Sequence, residues 1–363
     1  MLKPIKQSNL QTAIQYTSEN VATHRFLLSE HGQRFGWAND TSLADFKAQT
    51  GLADLFCQAL YFKMPGFDQG IEEALQEADG YIFFMHGWTG SHRIWEELPM
   101  WLTGKHKNIV SFNFDLNGFG QSPFLQDTPA AASCSPAAIM RSVEYWLKAI
   151  KLWPPLPERK RPPFYLFVGH SMSGAALFYK DTAGWRDIPH GFYALAPALF
   201  HNSTQQQAFF KTVGVSIGLP SFNTVKDALA PRVIDILGPG ASPDVKTEHL
   251  RVYNETSFGT LAQTLYMLGA PSPPPHRTDW HRYRVALGHK DRIVRMDSLL
   301  SVLESLNFRP EQIRLTLGDH YFFSCGPGSP PAHCHNQEIV RKDLLEMCFA
   351  LTREARQPKN AGF

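Results

Sequence analysis

No stretch of this sequence is apolar for long enough to cross a bilayer, and the opening Met-Leu-Lys-Pro-Ile-Lys-Gln-Ser carries no apolar core of the secretory-signal kind. Charge imbalance is missing too: 35 Lys and Arg against 33 Asp and Glu leave a net +2. A balance so near zero makes no electrostatic case for nucleic acid or an anionic membrane. Arg159-Lys160-Arg161 is a basic run flanked by prolines and reads as a solvated loop. The five cysteines are odd in number and scattered, which argues against a disulfide framework. No internal repeat is visible. These absences leave a soluble, cytoplasmic protein with no nucleic-acid partner and no stable membrane insertion. Its 363 residues allow one large domain with an insertion, or two domains.

What is present is an alternation of short apolar runs and amphipathic stretches. Tyr81 to Met85, Ile109 to Phe114, Phe164 to Val168, Gly191 to Leu199, Tyr283 to Leu287 and Ile313 to Leu317 read as buried strands. Between them lie helical patterns. Ser135-Pro136 is an N-cap and first position ahead of the stripe Ile139, Val143, Leu147 and Ile150. Asp297 stands as the cap of a helix carrying Leu299, Leu300, Leu303 and Leu306, and a closing helix from about Asn336 carries Val340, Leu344, Met347 and Leu351. Such alternation predicts a mostly parallel α/β sheet with its ligands at the strand carboxyl ends. The first 80 residues are less regular. Phe26 to Trp37 fits a hairpin around a glycine turn, and Ala53 to Met64 a further strand.

One stretch organises the rest. Phe164-Tyr-Leu-Phe-Val runs into Gly169-His170-Ser171-Met172-Ser173-Gly174 and then into an Ala/Leu/Phe-rich helix. A strand that turns sharply into a helix holds its turn residue in a strained conformation and exposes the hydroxyl of Ser171 at the sheet edge. The pattern is G-x-S-x-G with its last glycine displaced to Gly174. Ser173 is a rival nucleophile, but it would need a glycine where Ser171 stands. A serine hydroxyl is a poor nucleophile until a base takes its proton, and His320, just after the last strand, is placed for that. His86, His170 and His289 also lie near the edge. The base needs a carboxylate to fix its tautomer, and Asp291 follows the penultimate strand; Asp319, adjoining His320 in sequence, is badly placed to orient it.

From Tyr81 to the C-terminus the chain resembles the α/β-hydrolase superfamily, in its esterase/lipase-like branch with a cap. Four motifs carry the resemblance in order: His86-Gly87-Trp88-Thr89-Gly90, Asp115-Leu-Asn-Gly-Phe-Gly-Gln-Ser122, the serine elbow, and the strand ends at Asp291 and His320. The resemblance implies a catalytic triad of Ser171, Asp291 and His320. It also implies an oxyanion hole from the backbone N–H groups of Trp88 and Met172, and Gly87, Trp88 and His170 are the residues expected beside the substrate. It implies a core over residues 1–199 and 281–363, with a cap over 200–280, where breakers such as Gly238-Pro239-Gly240 and Pro271-Ser-Pro-Pro-Pro275 frame apolar pieces such as Leu261 to Leu268.

The implied activity is that of a serine esterase acting through an acyl-enzyme on esters with an apolar acyl or alcohol part, with no cofactor. An acyltransferase, thioesterase, lactonase or carbon–carbon bond hydrolase on the same fold stays open, as does a catalytically silent binding protein; a surface subdomain for homodimerisation is the alternative to a cap for residues 200–280. His333-Cys334-His335 with Cys325 hints at a metal, but the spacing fits no zinc pattern, and a Pro/Gly-rich loop is the preferred reading.

Overall fold

The computed structural model describes residues 20–31, 40–63, 70–155, 161–201, 203–219, 221–222, 225–270, 273–275 and 279–357. Met64, the Arg34–Trp37 half of the expected hairpin, Arg159-Lys160 and the Pro271-Ser272 pair lie outside them. Among the described residues the elements run β1 (Val21–Leu27), α1 (Leu28–His31), α2 (Asp40–Thr50), β2 (Phe56–Phe62), α3 (Ile71–Glu77), β3 (Gly80–Met85), α4 (Leu98–His106), β4 (Ile109–Phe114), α5 (Pro136–Ala149), β5 (Phe164–His170), α6 (Met172–Ala176) and β6 (His190–Leu195). Then follow α7 (Thr204–Ile217), α8 (Lys226–Leu237), α9 (Pro243–Glu255), α10 (Phe258–Leu268), β7 (Tyr283–Gly288), α11 (Met296–Ser305), β8 (Ile313–Thr316) and α12 (Pro331–Arg356).

The eight strands form one sheet in the order β1-β2-β4-β3-β5-β6-β7-β8. Pairing is parallel from β4 through β8, while β2 is antiparallel to both β1 and β4. The chain steps from β3 to β4 on one side and returns to β5 on the other. That reversal opens a crevice at the carboxyl ends of β3 and β5, the place where open α/β sheets take their ligands. β3 shows why these strands are apolar on both faces. Tyr81, Phe83 and Met85 enter one buried cluster and Ile82 and Phe84 the other. Phe83 stacks on Phe112 at 5.5 Å and on Phe167 at 4.8 Å, so three neighbouring strands are locked by their aromatic rings.

Several expectations are corrected here. Phe26 pairs not with a local hairpin partner but with Cys57 of β2, and the chain after Leu27 turns helical. Asp297 is not the cap of α11; Arg295 is, and Asp297 lies in the first turn, held by the Arg295 guanidinium. The last helix begins at Pro331, not near Asn336, so His333-Cys334-His335 is helical rather than loop. Cys334 is bonded there to Cys325, a single bridge, which is no disulfide framework; Cys57, Cys134 and Cys348 are buried free thiols. Among the described residues no cluster of three His, Cys, Asp or Glu could hold a metal ion, and no helix is long and apolar enough to cross a membrane.

The Ser135 cap is as expected: its hydroxyl accepts from the Ala138 N–H at 3.2 Å, and the stripe on α5 is buried. Helices α7 to α10 form the inserted cap between β6 and β7. Its inner residues, such as Val252, Tyr253, Leu261 and Leu265, join the core cluster, whereas Phe209, Val215, Leu219 and Ile236 are exposed.

Candidate active site

Ser171 stands where β5 turns into α6, with φ 53° and ψ −113°. A non-glycine residue in that region is strained by roughly 1–3 kcal/mol and persists only where its surroundings hold it. Two backbone bonds do so: the Ser171 N–H donates to Leu195 O at 2.9 Å, and the Ser171 carbonyl accepts from Ala198 N–H at 2.9 Å. Small neighbours are obligatory. A Cβ on Gly169 would lie 2.5 Å from the Ser173 carbonyl oxygen, and one on Gly174 would lie 3.0 Å from Gly169 O. The displaced glycine is therefore a packing requirement of the turn. Ser173, the rival nucleophile, is fully buried, and its hydroxyl donates to His86 O at 2.5 Å.

Asp291 and His320 come together from the ends of β7 and β8. His320 Nδ1 donates to Asp291 Oδ2 at 2.7 Å, and both residues are nearly inaccessible. The other carboxylate oxygen accepts from the N–H groups of Ile293 and Val294, each at 2.8 Å, so the carboxylate is fixed by three donors. Asp319 faces away from this pair. Its oxygens accept from Gly240 N–H at 2.6 Å and Tyr321 N–H at 2.9 Å, which ties the His320 loop to the cap. His289 is exposed and accepts from Gly318 N–H at 3.4 Å.

The turn after β3 lies against the elbow. A Cβ on Gly87 would stand 3.0 Å from Ser171 Cβ, so only glycine allows the Gly87–Trp88 backbone to approach the serine. Among the described residues, no other group of the chain takes up the N–H of Trp88 or of Met172. His86 braces this turn. Its Nδ1 donates to Gly87 O at 2.6 Å and its Nε2 accepts from Leu116 N–H at 2.8 Å. Burial lowers its pKa against the pull of Asp115, so the ring is neutral. Asp115 opens the neighbouring turn and accepts from His92 N–H, His92 Nδ1 and Gln121 N–H at 2.7, 2.8 and 2.9 Å. Burial alone would raise its pKa, but the bonds and charge of His92 outweigh that and hold it low.

His170, named above for substrate contact, is wholly buried. Its Nε2 donates to the His320 carbonyl oxygen at 3.0 Å, which joins the elbow strand to the His320 loop. Burial, then the neighbouring His320, keep its pKa well below the usual histidine range.

Sequence reasoning missed the cap's share of the site. The Trp88 indole N–H donates to Thr264 Oγ1 of α10 at 2.9 Å, and its ring meets Tyr253 of α9 edge-on at 6.0 Å. Thr89 faces His249 of α9 at 3.1 Å, and the Ser91 hydroxyl donates to Glu248 Oε1 at 2.5 Å. These partners lie at least 157 residues apart, with no local pattern to announce them. Between α7, α8 and the loop after β7 is a cavity of about 400 Å³, walled by Phe209, Phe210, Ile236, Pro239, Arg292 and Ile293. The last two directly follow Asp291.

Residues 82–337 match the model of the "Alpha/beta hydrolase family". No curated protein matches the chain. Among solved structures it is similar to an esterase from Thermogutta terrifontis, at 14% identity over 82% of this chain and 95% of that one, with a TM-score of 0.52. An esterase from Exiguobacterium antarcticum aligns at 10% identity over 82% and 96%, with a TM-score of 0.52. An enol-lactonase from Burkholderia xenovorans LB400 aligns at 14% identity over 82% and 97%, with a TM-score of 0.50. At such identities the likeness is one of fold, while the match over residues 82–337 places this chain in the alpha/beta hydrolase family.

Proposed function

We propose that this hydrolase is a serine esterase that works through an acyl-enzyme, with Ser171 as nucleophile, His320 as general base and Asp291 as the group that orients it. The observation that carries the reading is the 2.7 Å bond between His320 Nδ1 and Asp291 beside a strained serine elbow. With Nδ1 committed to the carboxylate, Nε2 is the nitrogen free to take the serine proton and later return it to the leaving alcohol. The serine oxygen attacks the ester carbonyl, and the charge that develops is met by the Trp88 and Met172 N–H groups, which no acceptor among the described residues takes up. Collapse expels the alcohol; water, deprotonated by the same imidazole, then releases the acid.

Burial of Ser171 and His320 under the cap supports reaction away from bulk water. The cavity beside the Asp291 loop is mostly apolar and has room for a short acyl or alcohol chain, which supports a preference for apolar esters. The neighbour named as an enol-lactonase keeps cyclic esters among the candidate substrates. A panel of p-nitrophenyl esters of rising acyl length, with lactones and thioesters alongside, tests the reading. Turnover that rises from acetate to medium acyl chains is expected, and failure to turn over any ester would overturn it. A half-buried disulfide such as Cys325–Cys334 persists in oxidising surroundings and is rare in a reducing cytosol, which weighs against the cytoplasmic expectation.

A further inference from the structure

A buried polar chain runs from the residue after His320 to the turn after β3, and its middle member comes from the cap. The Tyr321 hydroxyl meets His249 Nε2 at 2.5 Å, and His249 Nδ1 meets Thr89 Oγ1 at 3.1 Å. Thr89 Oγ1 lies 2.7 Å from the Trp88 carbonyl oxygen, which can only accept. The single hydroxyl proton of Thr89 is therefore spent on Trp88, so Thr89 must accept from His249, and Nδ1 is the protonated nitrogen. Nε2 is then a bare lone pair, and Tyr321 must be the donor. Every proton in the chain is assigned without conflict, and His249 has no hydrogen-bonding capacity left over. All four residues are nearly inaccessible, so a broken link would leave a buried polar atom without water to replace its partner.

The two ends are the parts whose placement matters for the chemistry. Tyr321 is peptide-bonded to His320. Thr89 has φ 55°, a conformation costly for a β-branched residue, and it follows the Trp88 amide directly. Thr264 and Glu248 grip the same turn from the cap through Trp88 and Ser91, whereas His249 is bonded to both that turn and the His320 loop. We propose that His249 is a positioning residue, supplied by the cap, that sets the oxyanion turn and the base loop relative to each other through Thr89 and Tyr321. The cap is then a structural part of the catalytic constellation as well as a cover over it. This rests on the esterase reading only for its kinetic consequence; the mechanical coupling stands independently.

The test uses the full chain. Tyr321→Phe and Thr89→Val each remove one link while keeping the shape, and Thr89→Ser restores the hydroxyl. Each of the first two is expected to lower kcat by about ten- to hundredfold while KM moves by less than about threefold, because misplacement by an ångström affects the transition state more than binding. Thr89→Ser should recover most of the loss. Tyr321→Phe combined with His249→Phe should be no slower than the slower single variant. Unchanged kcat in folded Tyr321→Phe, or losses that multiply, overturns the inference. Amide exchange supplies a readout that needs no activity. In His249→Phe, residues 87–90 and 318–323 should lose protection together, and loss confined to α9 overturns the coupling. Where Tyr321→Phe or His249→Phe fails to fold, the exchange measurement is made on Thr89→Val. A wild-type protein that takes up no fluorophosphonate at Ser171 defeats the esterase reading, and the exchange result still decides the coupling.

Discussion

The Ser173 hydroxyl donates to the carbonyl oxygen of His86 at 2.5 Å, so the helix that follows the serine elbow is bonded to the turn that faces it across the crevice. The bond is buried and joins the two segments that the proposed attack on a carbonyl needs in register. It also separates the two serines of the elbow by role. Ser171→Ala is expected to abolish ester turnover, by up to about 10⁶-fold in kcat, in a protein that still folds. Ser173→Ala should instead lower stability by about 1–3 kcal/mol, through loss of a buried hydrogen bond, and keep measurable activity. Stopped turnover in Ser173→Ala alongside normal turnover in Ser171→Ala would exchange the two assignments.

The fixed pairing of Asp291 with His320 leads to a graded series. His320→Ala should match Ser171→Ala, and the double variant should cost little more, because members of a triad act as a unit. Asp291→Asn should cost about 10⁴-fold, because the amide keeps the shape but selects the wrong imidazole tautomer. Fluorophosphonate labelling of Ser171 should follow the same order. A neutral Asp291→Asn variant would require another acid, and Asp319 is already committed to Gly240 and Tyr321.

Replacement of 205–270 by a short linker removes Thr264, His249 and Glu248 together, and with them every bond described between the 88–91 turn and the cap. The shortened protein is expected to lose activity on all esters rather than to shift preference among them. A single change in the cavity, Ile236→Asp, should raise KM for medium-chain esters more than for acetate, since it places charge on an apolar wall and touches none of the 88–91 bonds. A shortened protein that stays folded and turns over the ester panel at wild-type rates would show that the segment has no part in the site.

Three histidines, His86, His170 and His249, are buried and neutral, and burial lowers the pKa of each, that of His249 to about 3. The folded state therefore resists protons that the unfolded chain binds at about 6.5, so stability is complete above that pH and falls as pH drops toward the folded values. Each histidine contributes a slope of roughly 1.4 kcal/mol per pH unit inside its own window. Glu96 opposes them: burial raises its pKa, so its folded form binds a proton more readily than the unfolded chain does. Burial lowers the pKa of His106, His201 and His333 as well, so Glu96 is outweighed and the melting temperature should fall steeply from pH 6 to pH 4.5. A flat profile across that range would mean that the rings are not buried neutral.

The disulfide closes a short loop between the His320 segment and α12. Unfolding without reductant should expose three thiols to titration, and five after reduction. Cys325→Ser with Cys334→Ser is expected to cost about 2–3 kcal/mol through the entropy of a loop of roughly ten residues. Five thiols without reductant would show the pair to be open in solution.

Local pattern was enough for much of this protein. Strand β4 and the start of α5 came out as read, because a six-residue apolar run and a Ser-Pro cap are short-range signals. Asp291 and His320 were legible from their order at strand ends, since a parallel sheet brings successive carboxyl ends to one edge whatever the sequence between them. The elbow was legible because a strained serine needs small neighbours at adjacent positions. Tertiary structure alone decided the remainder. The pairing of Phe26 with Cys57, the bond between Cys325 and Cys334, and the grip of Thr264, His249 and Glu248 on the 88–91 turn join segments that carry no periodicity in common. Such contacts exist only once distant segments have packed together, because a bond between them depends on where two backbones come to rest as well as on what the two side chains are.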